Sequence, residues 1–90
     1  MDLHRLQHIV SLADEKNFSR AALRANVSQS ALSRSIRLLE DTLQARLIDR
    51  MGRKNELTAL GEAVATRARQ LLLEAEEIQR TVGLLQSGAL

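Results

Sequence analysis

Ninety residues, 44% hydrophobic and 27% charged, suffice for one small core and exclude two. A chain of this size buries only about 60 to 65% of its unfolded surface, so a partner subunit would add stability. Net charge is only +2, yet residues 20–54 hold eight basic and three acidic side chains, +5, against −3 elsewhere, which makes the middle of the chain a cationic surface suited to a polyanion.

The chain has no cysteine, which rules out a disulfide framework and a thiolate metal site. It also lacks proline, tryptophan and tyrosine, with Phe18 the one aromatic, a composition that reads as mainly helical. No charged leader precedes an apolar run, so a cytoplasmic, non-membrane setting is expected.

Leu3, Leu6, Ile9, Val10 and Ala13 recur at three- and four-residue intervals and predict an amphipathic helix over residues 3–15, with Asp2 as its N-cap. Phe18 would anchor the following loop. Ser19 would cap a second helix, "SRAALRAN", whose Ala21, Ala22 and Leu23 leave little bulk. Asn26 suits the left-handed conformation that ends a helix, Val27 can tuck inward, and Ser28 can cap the next helix. The pattern is helix, three-residue turn, helix.

The third helix is expected from Gln29 to about Gln44, with Leu32, Ile36, Leu39 and Leu43 as its buried stripe. Ser30, Ser33, Arg34 and Arg37 cluster on the opposite side, with Gln29 at the exposed N-terminal edge. A small hairpin follows, near residues 47–50 and 55–57 around "MGRK", where Gly52 can supply positive φ. Thr58 would then cap a helix running to about Gln86, about 40 Å long. Its Val64, Ala68, Leu71, Ala75, Ile78, Val82 and Leu85 alternate spacings of four and three, a heptad seam that either packs along its own domain or pairs with a second copy, and pairing is favoured. The chain thus divides into 1–58 and a linker or dimerisation helix, 59–90.

A helix whose polar face begins at its own N-terminus, behind a tight turn, is built to enter the major groove. Gln29 suits the N6 and N7 edge of adenine and Arg34 suits guanine O6 and N7, while Ser30 and Ser33 are short enough to let the backbone approach. Arg20 and Arg37 are placed for phosphate, and Arg50, Arg53 and Lys54 crowd the tight turn where a wing would lie beside the DNA backbone or minor groove.

These residues carry a resemblance. "FSRAALRANVSQSALSRSIRLLEDTLQARLIDR" followed by "ELTALGE" resembles the N-terminal domain of LysR-type transcriptional regulators over essentially the whole chain. Phe18 to Ala22, Ser28-Gln29, Leu39-Glu40, Leu47, Arg50, Leu57-Thr58 and Gly61 carry the family motifs in order. Ser30 stands where the family usually has proline, Gln44 where it has glycine, Ile48 where it has phenylalanine, and Asn55 where an apolar residue is common. The resemblance implies a winged helix-turn-helix with a three-helix core, and a long final helix that dimerises antiparallel with its counterpart. It further implies an interrupted palindromic promoter site, a small-molecule effector acting on a C-terminal domain absent from this segment, and RNA polymerase as a partner of the full-length protein. Base contacts would fall to Gln29, Ser30, Ser33 and Arg34, and wing contacts to Arg53 and its neighbours.

Other chemistries are poorly served. His4 and His8 share a helix face at the spacing of zinc-binding helices, but Arg5 replaces the acid of a metalloprotease motif and no third ligand is evident, so both read as exposed histidines. Glu40-Asp41 and Glu76-Glu77 read as solvated helix surface, and no nucleophile-base pair or phosphate loop is present, so neither an enzyme nor a bound cofactor is expected. The alternative is a protein-interaction module that uses the helix-turn-helix as a scaffold and the heptad helix for assembly. It gives no reason for cations on the third helix and the wing.

Overall fold

The computed structural model describes residues 1–52 and 56–88. Within them the chain forms α1 (Leu3–Glu15), α2 (Phe18–Ala25), α3 (Gln29–Leu43) and α4 (Ala59–Gln86). Each start is capped: Asp2, Asn17, Ser28 and Thr58 accept from His4 N, Arg20 N, Ala31 N and Gly61 N. The cap of α2 is therefore Asn17, not Ser19. Phe18 becomes the first helical residue, and its half-buried ring packs against the core.

The ends of α1, α2 and α3 follow one device. Lys16, Asn26 and Gln44 all take left-handed backbone, with φ of 55°, 59° and 52°. Gln44 does so without glycine's freedom, and its side-chain Nε2 donates to the Asp41 carbonyl at 2.7 Å, which offsets part of that strain. Helix α3 therefore stops one residue before the expected end.

The core is small and well defined. Ile9, Leu32, Ile36, Leu39, Leu47 and Ile48 are its largest fully buried side chains, each contributing about 1.5 to 3 kcal/mol by leaving water. Ala21 and Ala22 bring α2 close to α1 and α3. Leu12 joins this core although the periodicity had favoured Leu3, which is exposed, and Leu23 faces solvent. Leu43 closes the α3 stripe only half-buried.

After α3 the chain turns back and makes one antiparallel bridge, Ile48 to Leu57, flanked by Asp49 N donating to Glu56 O and Thr58 N donating to Leu47 O. This is the base of a winged helix-turn-helix hairpin. Asp49 Oδ1 accepts from Met51 N and Gly52 N, so an aspartate turns the chain here, and Gly52 is not in the left-handed region expected of it. Arg53, Lys54 and Asn55 lie outside the described residues.

Helix α4 is about 42 Å long and takes its first three turns across α1. Gly61, Ala65 and Ala68 are buried there, with Val64 and Leu72 packed against the core. Val64 and Ala68 are thus used inside their own chain rather than kept for a partner. Beyond Ala75 the helix projects from the body, and the molecule measures 54 × 25 × 18 Å.

Gly61 is where this docking is tightest. A Cβ there would overlap the Leu47 carbonyl oxygen and stand 3.1 Å from both the Leu47 carbonyl carbon and Leu57 Cδ2. Gly61→Ala is therefore expected to destabilise the domain by about 1 to 3 kcal/mol despite alanine's better helix propensity. Urea denaturation followed by circular dichroism tests this, and a variant as stable as the parent would show that α4 is not pressed against the bridge.

Candidate nucleic-acid interface

The sequence between Asn26 and Arg37 presents a face that the core does not use. Leu32 and Ile36 turn inward, leaving Gln29, Ser30, Arg34 and Arg37 exposed and Ser33 half-buried. Gln29, Ser30 and Ser33 line a recess of about 450 Å³ together with Phe18, Ile48 and Arg50, so the N-terminal turns of α3 face the start of α2 and the hairpin base. Gln29 Nε2 donates to Ser19 Oγ at 2.9 Å, and Ser30 Oγ lies 3.2 Å from the capping Ser28 Oγ.

The basic residues sort into two groups. Arg24 pairs with Asp14 at 2.8 Å and with Glu15 at 3.5 Å, and Arg69 of α4 bonds the other Asp14 oxygen at 2.6 Å. Asp14 thus joins α1, α2 and α4, and the hydrogen bond from Arg69, with help from Arg24, holds its carboxyl below the usual range. Arg20 leans back toward the end of α1, donating to the Glu15 carbonyl at 3.2 Å with a loose 3.9 Å approach to its carboxylate. Arg34, Arg37 and Arg46, by contrast, make no ion pair among the described residues. Arg37 and Arg46 stand with Arg50 around a recess at the C-terminal end of α3. Arg46 carries no motif or periodic signature, and the one signal for it is local: a cation just past a helix end complements the carbonyls there.

Arg50 and Glu40 depart most from expectation. Glu40 is buried instead of being solvated helix surface. One oxygen accepts from Leu47 N at 2.8 Å and Ile48 N at 3.3 Å, and the other pairs with Arg50 Nη2 at 2.8 Å. Burial pushes the carboxyl pKa up, but the bonds from Arg50, Leu47 N and Ile48 N outweigh it, and the group sits below the ordinary glutamate range. Arg50 therefore holds the hairpin to α3, with its charge already partly answered, rather than standing ready as an unpaired phosphate ligand.

His8 was also expected to be exposed, with His4. It is half-buried, and its Nδ1 lies 2.6 Å from Ser35 Oγ on α3; burial, then the neighbouring His4, pushes its pKa down. It ties α1 to α3. Among the described residues no cluster of three or more His, Cys, Asp or Glu is placed to hold a metal ion, and no helix is long and apolar enough to cross a membrane.

Glu40→Gln should lower stability at neutral pH by about 2 to 4 kcal/mol, because Arg50 loses its charge partner and the Leu47 and Ile48 N–H groups lose their ionic acceptor. The parent's glutamate has a depressed folded pKa. Its contribution is present above the ordinary value of 4.5 and lost as pH falls below that through the folded value. Chemical denaturation between pH 7 and 3 should show a shallower acid limb in the variant; identical limbs would remove Glu40 from this role.

Comparison with known proteins agrees with this geometry. The family model described as bacterial regulatory helix-turn-helix protein, lysR family, matches residues 3–62. The chain is 52% identical over 71 residues to the SDS degradation transcriptional activation protein of Pseudomonas sp. (strain ATCC 19151), a match covering 79% of this chain and 23% of that protein. Among solved structures, Vibrio fischeri DarR in complex with DNA superposes with a TM-score of 0.87 at 40% identity, over 97% of this chain and 30% of that one. The DNA complex of BenM_DBD with catB site 1 gives 0.89 at 29% identity, over 97% and 98%. The chain thus spans less than a third of the length of the first two proteins. It belongs to the lysR family of bacterial regulatory helix-turn-helix proteins and is a DNA-binding domain of that family.

Proposed function

We propose that the domain binds an interrupted palindromic DNA site as a homodimer, in the cytoplasm, with α3 of each copy in a major groove. The observation that carries this reading is the exposed face from Gln29 to Arg37, whose two guanidiniums, Arg34 and Arg37, have no ionic partner among the described residues, whereas Arg24 before it and Arg50 after it are paired. Gln29, Ser30, Ser33 and Arg34 read base edges, and Arg37, joined by Arg46 and Arg20, holds phosphate. Arg53 and Lys54 are the wing contacts; Arg50 sets the wing's place. Binding of relatives to DNA, in the DarR and BenM_DBD complexes, supports the partner. A small-molecule effector and RNA polymerase act, on this reading, through parts of the full-length protein outside this segment.

The dimer seam proposed here is Leu71, Ala75, Ile78, Val82 and Leu85. Leu71, Ile78, Val82 and Leu85 are exposed at 48%, 67%, 48% and 58%, more apolar surface than a lone projecting helix would keep in water. Pairing two such helices hides the stripe and fixes the spacing of two recognition helices.

Arg34→Ala should weaken binding to a selected site roughly 5- to 150-fold and broaden base preference at one position, while changing binding to random duplexes little. Titrations on both DNAs check this, and equal loss on each would assign Arg34 to phosphate. For the seam, Leu71→Asp and Ile78→Asp should sediment as folded monomers and lose most of their affinity for paired half-sites, keeping their binding to a single one. Dimers surviving both substitutions would place the interface elsewhere.

A further inference from the structure

The hydrogen bond from Gln29 Nε2 to Ser19 Oγ joins the first turn of α3 to the first turn of α2. Neither residue is needed to cap its helix, because Asn17 and Ser28 perform those tasks. Both are exposed, so the bond's net advantage over water is modest and falls on the side-chain conformation more than on the stability of the fold. Its effect is on conformation. Glutamine has three rotatable side-chain bonds, and fixing them when DNA arrives weakens binding; a side chain already held avoids that loss.

The chemistry left over after the bond is specific. Gln29 Nε2 keeps one N–H and Oε1 keeps its lone pairs, which is the donor and acceptor pair that an adenine edge takes at N7 and N6. Ser19 accepts through Oγ, so its O–H remains available as a donor, at a helix start where backbone N–H groups already favour an anion.

We propose that Ser19 is a positioning residue for base readout: it holds the Gln29 carboxamide in the orientation that meets a base, while its own hydroxyl takes a DNA phosphate. Backbone contact and base selection are then coupled through one hydroxyl. The proposal rests on the reading of Gln29 as a base contact.

The test is selection of bound sequences from random duplex DNA by the 90-residue chain and by Ser19→Ala, Ser19→Thr, Gln29→Ala and the Ser19→Ala/Gln29→Ala double variant, with melting temperatures measured for each. Gln29→Ala should flatten preference at one position of the half-site. Ser19→Ala should weaken preference at that same position by about three- to tenfold, leaving other positions and the melting temperature unchanged. Ser19→Thr, which keeps the hydroxyl, should restore it, and the double variant should be no flatter than Gln29→Ala alone. If Ser19→Ala lowers affinity evenly with preference intact, Ser19 is a phosphate contact only and the proposal fails while the reading of Gln29 stands. If Gln29→Ala itself leaves preference intact, that reading fails and the proposal with it.

Discussion

A single carboxylate organises the passage from recognition helix to hairpin. Glu40 lies inside the domain, where an unpaired charge would be expensive, and it is tolerated because two backbone N–H groups and a guanidinium converge on it. Those same groups have few alternatives. Leu47 and Ile48 are fully buried, and the bonds flanking the single bridge use Asp49 N and Leu47 O, not the Leu47 and Ile48 amides, so a side chain supplies their acceptor. The carboxylate thereby fixes the direction in which the chain leaves α3. The bridge to Leu57 follows from that direction, and through it the seat of α4 against the Leu47 carbonyl.

Around this point the domain relies on small residues for closeness and on long polar ones for angle. Ala21, Ala22, Ala65 and Ala68 are buried where helices pack, and Gly61 brings the backbone of α4 against the Leu47 carbonyl. Asp14 of α1 then takes Arg69 of α4 and Arg24 of α2, an exposed network in which each pair is worth little but three elements share one acceptor. His8 with Ser35 does the same between α1 and α3. The exposed face of α3 is thus carried by a body restrained from several sides, which is what a surface that reads a rigid duplex requires.

Features governed by a few neighbouring residues were legible in the sequence. The caps at Asp2, Ser28 and Thr58, the left-handed Asn26 and the stripe of Leu32, Ile36 and Leu39 all stand as read, because capping and periodicity are local. The start of α2 slipped because Asn17 and Ser19 are both good caps two positions apart. What the sequence concealed was contact at a distance: His8 meets Ser35 across 27 positions, and Glu40 meets amides that arrive only after the chain reverses at Gln44. Neither has a periodic signature. Helix α4 misled for another reason, since a stripe of spacing three and four looks the same whether a neighbour in the same chain or a second copy covers it, and here Val64 and Ala68 face the former.

That division of α4 bears on the building of hybrid regulators. Joining this recognition unit to a foreign sensing portion at the boundary suggested by the sequence, after Thr58, would replace Gly61, Ala65, Ala68 and Leu72, and with them the packing of α4 on α1 and on the Leu47 carbonyl. It would also discard Arg69 and leave Asp14 with Arg24 alone among its present partners. A graft that respects the packing carries the native sequence through Ala75 and changes partners only where the helix has left the body behind. The first half of the rod travels with the reader, and only the second half is exchangeable.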